Sequence, residues 1–297
     1  MDISAALVKE LRERTQASMM DCKRALVASQ GNIEEAIQEM RKAGQSKAEK
    51  KASRTTAEGV VEALCSQDAK SAVLLEINCE TDFVGREQKF RQFASSALGH
   101  ALALGAKPEA FEKLKATMEP ERLELVAQLG ENISIRRMAF HHTDEGIVGT
   151  YLHGGSVEGG ARIGVLVLLK QGTAEIARDV AMHIAAMSPE YLQSSDIPAD
   201  RLEKEREVAL AEYEKSAQVA QAHLREPIIA GKLKKFMAGI TLLEQAYVRD
   251  PSKTVKAFLE ASKAEVQHFV RFAVGEGIQK KTDDFVSEVM AQARGDA

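Results

Sequence analysis

The feature that most constrains this fold is an internal repeat. Four segments of the first half recur in the second half in the same order: 58–61 with 145–148, 72–77 with 163–169, 93–103 with 176–186, and 135–140 with 269–274. The two helical segments align without a gap, so that His100 falls on His183. Chance likeness of two amphipathic helices is the alternative, but the shared order of strand, strand, helix and strand argues against it. The repeat therefore predicts an α+β fold with two copies of one subdomain, each a three-stranded antiparallel sheet with helices on one side.

A highly charged stretch interrupts the second copy. Residues 200–225 are rich in Glu, Lys and Arg, which predicts a long exposed helix. Pro227 breaks that helix and suits the first turn of a second helix that runs back beside it. An antiparallel helical hairpin that protrudes from a globular body is a contact arm more often than a catalytic element. Beyond the last strand we expect a short tail module, helical from Thr282.

The first 44 residues predict three short helices around a thin core. Ser18 with Asp21 fits a capping box at the start of the second helix, and Asn32 caps the third. Gly31 and Gly44 are expected to end the second and third helices.

These elements group into successive units. We expect an N-terminal three-helix domain with a basic linker at 1–54, a first core subdomain at 55–144, a second core subdomain at 145–199 and 236–275, an inserted hairpin at 200–235, and a C-terminal module at 276–297.

Composition limits the class of protein. The 297 residues are 44% hydrophobic and 28% charged, which is enough apolar material for buried cores and excludes a disordered chain. The formal charge of −4 gives no global attraction to nucleic acid or membrane. The chain has no Trp and only 5% aromatic residues, so a single-strand binder that stacks bases on aromatic rings is disfavoured.

Cysteine use and the N-terminus bear on the compartment. Cys22, Cys65 and Cys79 are an odd and sparse set, which favours a reducing compartment over a disulfide scaffold, and their spacing fits no zinc pattern. The first residues do not read as a signal peptide, and the longest apolar run, 165–169, is far shorter than the ~20 residues that span a bilayer. We expect a cytoplasmic protein without a membrane partner.

A basic segment at 41–54 has two interpretations. Its cations are Arg41, Lys42, Lys47, Lys50, Lys51 and Arg54. It is either an arm that binds phosphates or a solvated, partly helical linker. The linker is favoured, because no aromatic residue is interleaved and the net charge of the chain is negative.

A search for catalytic motifs indicates a protein that is not an enzyme. The chain has no phosphate-binding Gly-x-x-x-x-Gly-Lys run, no nucleophile elbow and no zinc-protease helix. His141 and His142 are adjacent, so on a strand they face opposite sides. His100 and His183 lie on Ala-rich helix faces, where a packed or half-exposed histidine is expected rather than a ligand. We expect no cofactor and no metal site.

One short segment could serve a partner protein. Residues 78–84, Asn-Cys-Glu-Thr-Asp-Phe-Val, leave a strand and enter a loop before the helix at Phe90. Phe83 beside Asp82 has two interpretations: the ring tucks into the chain's own core, or it projects as a wedge for a partner's pocket.

Several long motifs resemble the elongation factor Ts family, the bacterial guanine-nucleotide exchange factors for elongation factor Tu. They are Leu-Val-Lys-Glu-Leu-Arg-Glu-Arg-Thr at 7–15, Met-Met-Asp-Cys-Lys-Arg-Ala-Leu at 19–26, Thr-Asp-Phe-Val at 81–84, and Arg-Ile-Gly-Val-Leu-Val at 162–167. The resemblance covers essentially the whole chain, with the motifs in the right order. The turn at 155–160 is longer than in many members of the family.

The resemblance implies roles for single residues. Those that match contacts with elongation factor Tu are Arg12, Met19, Met20 and His153. Those that match the segment implicated in dislodging Mg²⁺ from Tu are Thr81, Asp82, Phe83 and Val84.

The resemblance also implies an architecture and a partner. The first three helices would form a domain of the ubiquitin-associated type, and the hairpin would form a coiled-coil arm. The partner would be elongation factor Tu, and this chain itself would bind neither nucleotide nor a specific nucleic acid. The alternative function is an RNA-associated translation factor that binds through 41–54.

Overall fold

The computed structural model describes residues 3–15, 17–154, 160–215 and 224–279. Its helices are α1 (Ala5–Thr15), α2 (Met19–Ala28), α3 (Ile33–Lys51), α4 (Asp82–Arg86), α5 (Gln88–Leu104), α6 (Ala110–Leu129), α7 (Ala174–Met187), α8 (Ala199–Glu214), α9 (Arg225–Ile240) and α10 (Val255–Ala261). Its strands are β1 (Glu58–Cys65), β2 (Ser71–Cys79), β3 (Ile133–His142), β4 (Ile147–His153), β5 (Ile163–Gln171), β6 (Ala246–Tyr247), β7 (Asp250–Thr254) and β8 (Glu265–Ala273).

The first three helices form a small cluster with its own apolar centre. The predicted caps are confirmed: the side chains of Ser18 and Asn32 accept hydrogen bonds from backbone N–H groups in the first turns of α2 and α3. Gly31, with φ +89°, follows the end of α2 as predicted. Leu11 and Leu26 are fully buried between these helices.

The prediction that Gly44 ends the third helix is wrong, since α3 continues to Lys51. A Cβ at Gly44 would lie 3.4 Å from the Cβ of Ala127 on α6, so glycine here permits two helices to approach closely. Ala48, one turn further on, is buried in the core of the first repeat. The basic segment is therefore mostly helical, and it joins the N-terminal helices to the core.

The first repeat is an antiparallel sheet in the order β1-β2-β3. The predicted antiparallel sheet is confirmed, with Glu58 of β1 opposite Cys79 of β2, and Cys79 opposite Ile133 of β3 on the other side. Helices α5 and α6 cover one face, where Phe90 and Phe93 are buried. Helix α6 ends at Gly130, which takes a left-handed conformation.

The second repeat has the same construction, in the order β4-β5-β8. Helix α7 lies over its sheet, in the place that α5 takes in the first repeat. A Cβ at Gly149 would lie 2.5 Å from the Cβ of Ala177, so α7 sits directly against β4. The α+β class and the repeated order of elements are confirmed.

An additional substructure between α9 and β8 was not predicted. It consists of the two-stranded sheet β6-β7 and the short helix α10. Residues 251–254 lie in β7. The helix begins at Val255, and Thr254 caps it by accepting from the N–H of Ala257.

The two sheets pack face to face, which the repeat alone did not predict. Their shared apolar layer consists of Val61, Ala72, Leu74, Val148, Leu166, Leu168 and Phe272. Gly164 lies in this layer, where a Cβ would come within 2.4 Å of Val61 and 2.6 Å of Leu74. Each sheet is thus covered by helices on one face and by the other sheet on the second face.

A buried carboxylate ties the ends of the two repeats together. Glu76 on β2 is fully buried and accepts hydrogen bonds from Arg136 and Arg137 on β3. It also accepts from the backbone N–H of Gly275, just after β8. Arg137 continues the connection by donating to the carbonyl of Ala273.

Helices α8 and α9 form the insertion in the second repeat. Two ion pairs join them, Arg206 with Glu226 and Lys232 with Glu212. Pro227 is the third residue of α9, in the first turn, as predicted. Residues 216–223 of the predicted insertion, and the helix predicted from Thr282, lie outside the described residues.

Among the described residues, no helix combines the length and the apolar character that crossing a membrane requires.

Candidate functional site

The segment after β2 is a short helix and not the predicted loop. Helix α4 spans Asp82–Arg86, and an ion pair of 2.6 Å between these two terminal side chains closes its single turn. Val84 is buried, and Gly85 lies against the backbone of Gly59 at the start of β1. This local pairing and packing explain why a sequence with few helix signals forms a turn of helix here.

Phe83 projects from this helix into solvent. Its side chain is 77% exposed, whereas the neighbouring Val84 is 7% exposed. The interpretation that the ring tucks into the chain's own core is therefore wrong. Residues next to each other on a helix point about 100° apart, so burial of Val84 directs Phe83 outwards.

Thr81, the residue before α4, is held by the side chains of Glu131 and Cys79. Thr81 donates its N–H and its hydroxyl to the carboxylate of Glu131, and its carbonyl accepts from the thiol of Cys79 at 3.1 Å. Burial, together with the nearby carboxylates of Glu131 and Glu58, raises the pKa of Cys79 to about 12. The thiol therefore stays protonated and acts as a hydrogen-bond donor rather than a nucleophile.

The N-terminal helices present a second apolar surface. Met19 and Met20, at the start of α2, are 60% and 64% exposed, and Val27 further along α2 is exposed as well. Arg12 on α1 is also exposed. Large apolar side chains gathered on one small helical unit are typical of a protein-binding surface.

His153 lies at the end of β4, where it is exposed and lies 3.3 Å from the hydroxyl of Tyr151. Its carbonyl accepts from the N–H of Arg162, whose guanidinium pairs with Glu58 at 2.7 Å. Glu58 and Gly59 begin β1, and Gly59 contacts α4. The end of β4 and the end of α4 therefore both lie beside the start of β1.

The N-terminal helices reach the same region through α6. Gln128 donates to the carbonyl of Thr15 at the end of α1 and accepts from Lys89 at the start of α5. Glu131, three residues later, binds Thr81. The structure therefore connects α1, the α4 segment and the end of β4 through contacts at one end of the double sheet.

The other described histidines differ in burial. His183 is fully buried beside Gln245, whereas its counterpart His100 is exposed. His141 lies 2.8 Å from His268 of the second sheet, and burial followed by the charge of His268 lowers the pKa of His141 to about 4. In the described part of the chain, no three His, Cys, Asp or Glu side chains are grouped to hold a metal.

The sequence search missed one chain of polar groups. Ser71 lies 2.9 Å from Nδ1 of His142, and Nε2 of that ring lies 3.2 Å from Asp144. The Asp144 side chain is 94% exposed, so water screens its interaction with the ring. The backbone N–H of Ser71 already donates to Ser66, so it is not free to stabilise an oxyanion, as a catalytic serine site would require.

Comparison with known proteins relates this sequence to a family. The sequence profile described as Elongation factor TS matches residues 80–276. Elongation factor Ts of Legionella pneumophila (strain Lens) is 48% identical over 299 residues, covering 98% of this chain and 99% of that protein. The chain belongs to the elongation factor Ts family. Elongation factor Ts of Yersinia pestis (strain Pestoides F) is 46% identical over 292 residues, covering 98% of both chains.

Membership of the elongation factor Ts family makes the protein a translation elongation factor. The matched range includes α4 and His153, whereas α1 and α2 precede it. The N-terminal helices are nevertheless part of the similarity, because the elongation factor Ts relatives match almost the full length of the chain.

Proposed function

We propose that this protein binds elongation factor Tu carrying GDP and promotes release of the GDP, so that GTP can rebind. The exposed ring of Phe83, on a helix that the core holds from behind, is the observation that carries the proposal. An apolar side chain so exposed contributes little to its own fold, whereas in a partner's pocket its burial is favourable.

The proposed mechanism needs no covalent chemistry in this chain. In a GTPase, Mg²⁺ bridges protein and phosphate oxygens and neutralises their charge. Insertion of Phe83, with Asp82 beside it, would displace the groups in Tu that support the ion, and the nucleotide would then bind more weakly. The protein is accordingly an exchange factor and not an enzyme, and it needs neither a nucleotide site nor a cofactor of its own.

The proposal includes further residues. Thr81 and Val84 fix the helix, while Arg12, Met19, Met20 and His153 bind Tu. We assign α1–α3 to a domain of the ubiquitin-associated type, and α8 with α9 to a coiled-coil arm. The division into units at 1–54, 55–144, 145–199 with 236–275, 200–235 and 276–297 belongs to the same proposal.

The alternative function, RNA binding through 41–54, is less well supported. Three of its cations already have partners within the chain: Lys42 pairs with Glu39, Lys51 donates to the carbonyl of Gly130, and Arg54 pairs with Glu80. A steep fall in RNA affinity with rising salt would favour this alternative.

Stopped-flow release of labelled GDP from Tu tests the proposal. Phe83→Ala should slow release at every concentration of the factor, while its unfolding midpoint stays close to that of the wild type. Val248→Ala is the matched control, because Val248 is an exposed apolar residue on the second repeat, 39% exposed and outside the proposed surfaces. Release that is as fast with Phe83→Ala as with the wild type would refute the role of Phe83.

A further inference from the structure

Glu131 occupies the connection between α6 and β3, at the base of the α4 segment. Its Oε2 accepts from the backbone N–H groups of Glu80 at 3.1 Å and of Thr81 at 2.9 Å. Its Oε1 accepts from the hydroxyl of Thr81 at 2.5 Å. Hydrogen bonds to an ionised carboxylate are stronger than those between neutral groups, so these three bonds fix the chain as it enters α4.

Helix α4 depends on such support. Its five residues are too few for a helix that is stable by itself. Thr81 stands at the N-cap position, but its hydroxyl makes no cap and donates to Glu131 instead. The direction in which α4 leaves the sheet is therefore set by a contact that is distant in sequence.

The same connection holds the N-terminal helices. Gln128 donates to the carbonyl of Thr15 at the end of α1, and Lys51 at the end of α3 donates to the carbonyl of Gly130. Asn132 donates to the carbonyls of Ala52 and Arg54 in the linker that follows α3. Residues 128–132 therefore contact both the N-terminal helical unit, which carries Met19, and the α4 segment, which carries Phe83. Both surfaces are anchored to one short stretch of backbone.

We propose that Glu131 is a positioning residue for nucleotide exchange, which acts through Thr81 to aim Phe83. This inference rests on the proposed function, since it assigns the control of a group that contacts Tu. If Phe83 is misplaced in the bound complex, it promotes GDP release less well, and the rate of that step falls. Contacts with Tu elsewhere on the surface are unchanged, so the affinity for Tu is kept. Loss of Glu131 should therefore affect the limiting rate of GDP release more than the binding of Tu.

Glu131→Gln tests this with little change in side-chain volume. The amide oxygen can still accept from the two backbone N–H groups, but without the charge these bonds are weaker, and the Thr81 hydroxyl must rotate to accept from the amide N–H₂ instead of donating. We expect the limiting rate of GDP release at saturating factor to fall on the order of tenfold. We expect the half-saturating concentration to stay within about twofold, because binding through Met19 and Met20 persists.

The split between rate and half-saturation separates positioning from misfolding. If Glu131→Gln only unfolded part of the sample, less active factor would be present, so the half-saturating concentration would rise and the limiting rate would not change. Glu112→Gln is the matched control, because Glu112 is an exposed residue of α6, the helix that precedes Glu131, and is paired with Lys115. It should leave both parameters unchanged.

A double-mutant cycle with Phe83→Ala decides whether Glu131 acts through Phe83. We expect Glu131→Gln to have no further effect on the limiting rate once Phe83 is absent. Full additivity of the two effects, or a wild-type rate for Glu131→Gln beside a slow Phe83→Ala, would overturn the inference and leave the proposed function standing. A wild-type rate for Phe83→Ala itself would overturn the proposed function.

Discussion

The ring of His183 and the side-chain amide of Gln245 are partners in the core of the second repeat, with Nε2 of the ring 2.9 Å from Oε1 of the amide. The other ring nitrogen, Nδ1, accepts from the backbone N–H of Val248 at 3.1 Å. An Nδ1 that accepts carries no proton, so the proton is on Nε2 and is donated to Gln245. The buried ring is therefore neutral and uses both of its nitrogens.

This arrangement makes stability depend on pH. Burial lowers the pKa of His183, and the hydrogen bond that the ring donates to Gln245 offsets this only in part. In the unfolded chain a histidine takes up a proton near pH 6.5, whereas the folded protein takes it up only at lower pH. The free energy of unfolding should therefore decrease as the pH falls below about 6.5, down to the folded pKa.

Chemical denaturation between pH 7.5 and 5 measures this dependence. His183→Gln should make the free energy of unfolding less dependent on pH in that range, since glutamine does not titrate. His100→Gln is the matched control, because His100 occupies the equivalent position in the first repeat but is exposed. Equal pH dependence in the wild type and His183→Gln would contradict this prediction.

Glu76 leads to a second prediction about stability. Burial alone would raise the pKa of Glu76, but the hydrogen bonds from Gly275, Arg136 and Arg137 outweigh it and hold the pKa below its ordinary value. Glu76→Gln removes the charge that these two guanidinium groups share, and we expect a loss of about 3–5 kcal/mol in the free energy of unfolding.

The low pKa also fixes the pH range of this effect. A carboxylate whose pKa is depressed in the folded state stabilises the protein above its unfolded pKa, and this contribution is lost as the pH falls through the folded pKa. The wild type and Glu76→Gln should therefore approach each other in stability below about pH 4.5. The exposed pair of Glu112 and Lys115 supplies the control, since Glu112→Gln should cost less than about 1 kcal/mol at any pH.

The sequence predicted the repeated core well because its signals are local. Apolar periodicity and glycine stops define strands, helices and turns within a few residues of chain. The packing of the two sheets was not predicted, because it depends on which face of each strand meets a segment some ninety residues away, such as Leu74 against Gly164. Strand β7 was missed for a related reason: four of its five residues are exposed, so it lacks the alternation that marks a strand.

The sequence indicated which residues could form the candidate site, but not that their side chains are exposed. Phe83, Met19 and Met20 are apolar, and apolar residues usually lie inside, so sequence patterns do not establish that they are exposed. The α4 segment is supported by Glu131, which binds Thr81 from fifty residues further along the chain, and no local pattern indicates that pair. The extension of α3 past Gly44 likewise depends on its contact with Ala127.

The two exposed methionines of α2 should contribute to affinity rather than to the rate of exchange. Met19→Ala and Met20→Ala remove side chains that are 60% and 64% exposed, so the unfolding midpoint should change little. Each should weaken binding to Tu by about 1–2 kcal/mol, which is more than most interface residues contribute and less than a hot spot. Titration calorimetry measures the affinity, and Val248→Ala serves again as the exposed apolar control. An affinity unchanged in both methionine variants would exclude this surface.

The exchange mechanism also predicts a reciprocal effect of nucleotide on the complex. If the factor weakens the binding of GDP to Tu by some ratio, GDP must weaken the binding of the factor by the same ratio, since both describe one coupling free energy. Each tenfold of that ratio corresponds to about 1.4 kcal/mol.

The dissociation constant of the complex should therefore rise as GDP with Mg²⁺ is added, and it should rise less when a chelator removes the Mg²⁺. Phe83→Ala should reduce the ratio while binding through α2 persists. A dissociation constant that is indifferent to both GDP and Mg²⁺ would be incompatible with exchange by displacement, because a factor that binds both states of Tu equally cannot shift the equilibrium between them.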